Sequence, residues 1–433
     1  MLQKEKKALK YHSARRAGKI EVMPTKPLCT PEELALAYTP GAAVAAESIS
    51  RNSWNVYKYT NKGNLVAIIS NGSQLHNASA LAAKPLLEGK SMLFKTYGDI
   101  DAYDIEIGEE EIEQLVKTIC AMSPTFGGIS LDEIQSPKCI EIEERLREQL
   151  AIPIFNDNRE GISVCIAAAF INAVELTGKK RENTKIVICD DNTAGATVIQ
   201  LLVELGADES QITTFDENDY KSCQQDFESS LRACDILISL TSKYTISKEI
   251  LSTMAPLPII FTVTASTSPY TYNEILKMRP DAIVATRASS TPNQIETLLA
   301  FPYIFRGALD TLSTSINLNM LVAATYSIAG LAHQPTPQKL QKMYKRELAF
   351  GREYILPVAN DQRLATQVSK AVAEAAIKSG TARRLIYDWE NYCNTITSRL
   401  EREKRFCREI YSSYQTGVKL HRRYTKALPM MRV

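Results

Sequence analysis

From residue 185 onward the chain alternates short apolar runs with helix-like segments, and few folds accept that alternation. The runs fall at residues 185–189, 211–215, 235–240, 258–263 and 282–286. The first passes through a turn into a helix with Val198, Leu201, Leu202 and Leu205 on one face and Gly206 behind it. Strand–helix alternation of this kind predicts an α/β domain built on a parallel, doubly wound sheet, placed here at residues 160–310.

The flanking regions read differently. Residues 65–70 predict a buried strand and residues 81–95 a helix. Cys139, Ile142, Leu146 and Leu150 share one face of another helix by their 3/4 spacing. This α/β region spans residues 1–159. Everything after 310 reads as helix, residues 311–433 packing back on the core. From about residue 396 the tail is amphipathic, with Ile396, Leu400, Cys407, Ile410 and Tyr414 in a stripe. Between Arg399 and Val433 stand ten basic and three acidic residues. A solvated helix packed by one face accounts for that charge, and an acidic protein partner is the alternative.

Composition removes several classes of function. With 51 basic and 49 acidic side chains the net charge is +2, so no global electrostatic pull toward nucleic acid or an anionic membrane exists. No apolar run is expected to reach the ~20 residues that span a bilayer, and the basic N-terminus lacks the apolar core of a secretory signal. The nine cysteines form no CxxC pair and several lie in apolar stretches. They read as small core residues in a reducing cytoplasm.

Several blocks, taken together and in order from about residue 8 to 395, resemble the malic enzymes, in particular their short bacterial form. They are Ala37-Tyr38-Thr39-Pro40-Gly41, Leu87-Glu88-Gly89-Lys90, Pro124-Thr125-Phe126-Gly127-Gly128-Ile129 before Asp132-Glu133, and Phe155-Asn156-Asp157-Asn158. Pro292-Asn293-Gln294, Ala300-Phe301-Pro302 and Phe305-Arg306-Gly307-Ala308-Leu309-Asp310 complete the series.

The resemblance implies a malic-enzyme-type N-terminal domain followed by a Rossmann-like domain for NAD or NADP, and a homodimer or larger assembly. The family reaction oxidises malate at C2 with NAD(P), then loses CO2 to leave pyruvate. It needs a base, an acid and a divalent metal such as Mg2+ or Mn2+. By resemblance Lys90 is the base, with Asp157 beside it, and Tyr38 is the acid. The metal ligands fall at Asp132, Glu133 and Asn158. The phosphate loop begins at Asp190 and includes Asn192 and Gly195. Asp216 stands where a ribose hydroxyl is met, and is equally an ordinary turn residue. Substrate and nicotinamide contacts fall at Ala265, Glu296 and Thr297.

Many of these positions depart from the family pattern. The acidic pair is inverted to Asp132-Glu133, and Asn158 offers an amide where the family has a carboxylate, against a cation that wants charged oxygens in fixed geometry. Two of the three loop glycines are replaced by Asp190 and Asn192. Like charges about 4 Å apart repel by roughly 4 kcal/mol at an effective dielectric near 20, nearly three decades in affinity. The family's Asn residues at the substrate positions become Ala265, Glu296 and Thr297. The pattern implies a scaffold that binds dinucleotide and metal weakly or not at all, has lost malate oxidation, and serves a structural or regulatory role. Two alternatives stay open: a working NAD(P)-dependent decarboxylating dehydrogenase, and metal-independent enolisation or decarboxylation of another 2-oxo acid by Lys90 and Tyr38.

Overall fold

The computed structural model describes the chain except residues 1–2, 14–17, 76–78, 191, 245, 265–270, 289–290 and 417–433. Its strands form two parallel sheets. In the first, β1 (Leu65–Ser70) lies between β2 (Asp101–Glu106) and β3 (Gly128–Leu131), with β4 (Ile154–Asn156) outside β3. Every residue of β1 is buried, as an unbroken apolar run covered on both faces requires.

The second sheet holds β5 (Ile186–Asp190), β6 (Ile212–Asp216), β7 (Ile236–Ser239), β8 (Ile259–Thr262) and β9 (Ile283–Thr286) in the order β6-β5-β7-β8-β9. All four pairings are parallel. This is the doubly wound sheet expected from the alternation, at the expected positions. Strand order reverses at β5, so the crevice at the carboxyl ends of β5 and β7 is where such a sheet receives a ligand.

The helix Ile162–Thr177 follows the first sheet in the chain and precedes the second, with each residue from Ile162 to Val174 buried. It corrects the expectation that no apolar run reaches membrane-spanning length. Residues 157–177 are long and apolar enough, but 83% of their apolar window is covered by the rest of the protein. The run is apolar all round because it is core all round.

The helix Ala80–Gly98 carries Lys90 and buries Ala83, Leu87 and Phe94. Phe94 meets Phe301 and Phe305 edge-on, with centroids 4.8 and 5.2 Å apart. Phe155, at the middle of β4, meets Phe305 at 5.7 Å. These contacts lock the helix Phe301–Asp310 against both the lysine helix and β4.

After residue 310 the helices are Leu318–His333, Gln338–Tyr344, Arg363–Lys378 and Trp389–Thr416. The expectation of helix throughout fails at residues 345–362, which are irregular apart from an isolated bridge between Gly351 and Tyr354. Leu348, Tyr354, Ile355 and Leu356 are buried there without helical spacing. Asn172 donates to the carbonyl of Ile355 at 2.8 Å, a backbone group that a helix would have satisfied itself.

The long last helix buries Ile396 and Leu400, the start of the predicted stripe. The side chains of Cys407, Ile410 and Tyr414 lie outside the described residues. Arg399 departs from the solvated reading, its Nε lying 2.7 Å from Oδ2 of buried Asp99. Asp99 ends the lysine helix in the left-handed region, at φ 47°. At the other end of the chain, the helices Pro31–Ala37 and Gly41–Arg51 bury no residue. Cys139, Cys165, Cys189 and Cys234 are buried, and the eight described cysteines are free.

Candidate active site

The lysine at the centre of this site is held by two carboxylates from different strands. Lys90 Nζ lies 2.5 Å from Asp132 Oδ2 and 3.0 Å from Asp157 Oδ2. Asp132 follows β3 directly, its amide donating to Ile69 O at 2.9 Å. Asp157 opens a π-helical turn, Asp157–Gly161, after β4, a wide turn of the kind that recurs at functional sites. Thr297 Oγ1 donates to Asp157 Oδ2 at 2.8 Å. Below the ammonium the ring of Phe301 lies with its centroid 5.1 Å away, a favourable cation–π placement.

The second oxygen of Asp157, Oδ1, is buried without a hydrogen-bond partner. It presses on Gly161, where an added Cβ would collide with it, so glycine is required at that step. A buried carboxylate oxygen left unpaired is costly; the other oxygen of Asp157 is taken by Lys90 and Thr297.

Burial works against the Lys90 ammonium, but the charges of Asp132 and Asp157 more than offset it and hold its pKa above the ordinary value. Burial pushes the Asp132 carboxyl up, Lys90 opposing and Asp157 adding to the rise. Glu133 is raised by burial and then by Asp132. In this arrangement Lys90 starts as a proton donor, and it becomes the base expected from the sequence only after releasing that proton.

At the sheet's switch point the loop after β5 is closed on itself. Asp190 Oδ1 accepts from the amide of Gly195 at 3.0 Å, so its carboxylate caps the helix Gly195–Glu204. A Cβ at Gly195 would collide with that carboxylate. Asn192 takes up φ 61°, which asparagine tolerates better than most residues. Its side chain donates to Asp216 Oδ1 at 3.0 Å, and the amide of Asn218 donates to the same oxygen at 2.7 Å. Asp216 is thus a turn residue tied to the loop. Ser136, from the other sheet's side, bonds to the carbonyl of Asn192. Asp191 lies outside the described residues.

The remaining predicted positions scatter. Asn158 turns its amide nitrogen to Gln74 Oε1 at 3.4 Å. Glu133 adopts φ 49° and gives its carbonyl to Ser70 Oγ and the Gln74 amide, each at 3.3 Å. Glu296 is partly buried beside Thr297, and burial raises its carboxyl while Arg287 opposes the rise. Tyr38 is 74% exposed at the end of Pro31–Ala37, apart from the buried lysine cluster. Ala265 lies outside the described residues.

The structure therefore assembles Lys90, Asp132, Asp157 and Thr297, and separately Asp190, Asn192, Gly195 and Asp216. It adds Gln74 and Ser136, whose polar groups carry no pattern, and gives Phe301, quoted in the sequence only within a family block, a place under the ammonium.

Comparison with known proteins fits this geometry. Residues 17–111 match the family model described as malic enzyme, N-terminal domain. The NADP-dependent malic enzyme of Halomonas elongata is 38% identical, over 88% of this chain and 95% of that protein. That of Haemophilus influenzae is also 38% identical, over 95% of this chain but 57% of its own length. The chain spans about half the length of several curated relatives it matches. The crystal structure of a malic enzyme from Pyrococcus horikoshii superposes with a TM-score of 0.85 at 32% identity, covering 96% of this chain and all of that one. A shared fold and sequence matches that cover nearly all of such relatives lead to one conclusion: the chain belongs to the malic enzyme family.

Proposed function

We propose that this malic-enzyme-type protein keeps a proton-transfer centre at Lys90 but is impaired in oxidising malate with NAD or NADP, and serves a structural or regulatory role. The observation that carries this reading is the Asp190–Gly195 contact. In a dinucleotide-binding corner the amides at the helix N-terminus meet the pyrophosphate. Here an internal carboxylate takes that place, and a dianion arriving there meets like charge. The relatives' names speak for NADP-dependent malate oxidation; the loop after β5 supports a departure from it.

The divalent metal of the family reaction fits this donor set poorly. Asp132 Oδ2 and Asp157 Oδ2 are both spent on Lys90, and Asn158 brings no charge. Among the described residues no group of three or more His, Cys, Asp or Glu side chains is placed to hold an ion. Only the unpartnered Asp157 Oδ1 speaks for one. No step is therefore routed through a metal.

What the residues present can do is move a proton. The Lys90 ammonium, steadied by Asp132, Asp157 and Thr297, can protonate an enolate carbon and then accept a proton back. That supports a second reading, metal-independent enolisation of a 2-oxo acid. The homo-oligomer belongs to the same proposal. Leu34, Leu36 and Val44 are exposed on two helices that bury nothing within the chain, with Tyr38 exposed between them, and a second copy is the partner proposed for them. The basic tail is proposed to meet an acidic protein, in a cytoplasmic setting.

The decisive assay follows NADH and NADPH formation from malate with Mn2+, using the full chain. Turnover is expected to be absent or very slow, and to appear when Gly is restored at 190 and 192 and Asp at 158. An ordinary Lys90-dependent rate in the wild type sinks the reading.

A further inference from the structure

We propose that Arg287 is the carboxylate-binding residue of the Lys90 site, receiving the acid group of a small 2-oxo acid. The proposal rests on the reading of Lys90 as the reacting centre, and it begins from charge. Asp132, Glu133, Asp157 and Glu296 line the site and the turn beside it, and the one ammonium among them is already shared between Asp132 and Asp157. A carboxylic acid approaching Lys90 therefore needs a second cation, and repulsion excludes it without one.

Arg287 is the cation in position to serve. It follows β9 directly, and its amide donates to Thr262 O, at the end of β8, at 3.3 Å. The chain then loops round and returns alongside the end of β9 in a parallel bridge between Thr286 and Gln294: the Thr286 amide donates to Asn293 O at 3.1 Å, and that of Ile295 to Thr286 O at 2.9 Å. Arg287 stands on one limb of this turn, while Glu296 and Thr297 stand on the other, and Thr297 reaches Asp157. The arginine charge is felt at Glu296 on its own turn and at Glu133 across the cleft on the β3 side. Its side chain is exposed and forms no ion pair among the described residues. A guanidinium without an ion pair among the described residues, on the loop whose return carries Glu296 and Thr297, suits bidentate capture of a planar carboxylate. Sequence reading passed over this residue because it sits between motifs and belongs to none.

The alternative is that Arg287 only ties the two walls together through Glu133 and Glu296. Isothermal titration of the full chain with pyruvate and with oxalate separates the two, and contains neither nucleotide nor metal. Active malate oxidation by the wild type would thus overturn the previous reading and leave this one standing. Wild type is expected to bind at least one of the two acids. Arg287→Gln should weaken that binding at least tenfold and Arg287→Lys by less, with thermal midpoints unchanged. Three results overturn the proposal: no binding of either acid by wild type, equal affinity in Arg287→Gln, or affinity lost together with a lowered midpoint in both variants.

Discussion

The carboxylate of Asp190 and the amide of Gly195 are joined at 3.0 Å, so the residue that ends β5 caps the helix that follows it. Replacing Asp190 and Asn192 by glycine removes this internal anion and the bulk beside it. The double variant is expected to bind NADPH about a hundredfold or more tighter than wild type, within the roughly three decades that such repulsion represents. Fluorescence titration of NADPH reads the change. The same variant should lose about 1 kcal/mol of stability with its cap, visible in urea unfolding.

Lys90 lies between two buried carboxylates, and Lys90→Met leaves them uncompensated. Removing one partner of such a group costs about 3–5 kcal/mol. The sign of the pH dependence follows from Asp132, which burial already raises and which then loses the opposing lysine. A carboxyl raised in the folded state contributes stability below its unfolded pKa and loses it as pH rises through the folded value. The variant's deficit should therefore be small near pH 4 and grow toward pH 8 in denaturant titrations.

Glu160 offers a sharper pH test. Burial, against the pull of Arg147, pushes its carboxyl up to about 7. Wild type should lose stability relative to Glu160→Gln as pH rises from about 4.5 to about 7, by an amount on the order of 3 kcal/mol, with no further divergence above. Thermal midpoints of both proteins across that range check the slope. Because Arg147 Nη2 also meets Glu143 Oε1 at 2.8 Å, the glutamine variant keeps the arginine paired.

Arg399 and Asp99 connect the last described helix to the end of the lysine helix. Arg399→Ala should cost about 1.5–3 kcal/mol, the range for a hydrogen bond to a charged group. Hydrogen exchange should show faster opening of the helix Trp389–Thr416 and of residues 95–99. Unchanged protection in both segments contradicts this coupling.

The sheets were legible because their signals are local. Five apolar runs gave β5 to β9 nearly to the residue, and the family blocks gave the pairing of Lys90 with Asp157. Residues 345–362 were not legible, because Tyr354 and Ile355 are buried by contacts with distant segments rather than by their own spacing. Asp190 was legible as an obstacle by charge and size, but its role as a helix cap depends on a backbone amide five residues on. Arg399 read as one more solvated cation, since nothing near it in sequence announces Asp99, 300 residues earlier. Tyr38 carried the family motif yet stands exposed at the end of a helix that buries nothing within this chain.

The bond between Arg399 and Asp99 also orders events in time. During synthesis the segment bearing Lys90 emerges long before the arginine that clamps its end, so that helix waits with its terminal aspartate paired only to Lys95 of its own last turn. The lysine centre reaches its final rigidity only after residue 399 has been made, which delays any chemistry there until both sheets are already in place.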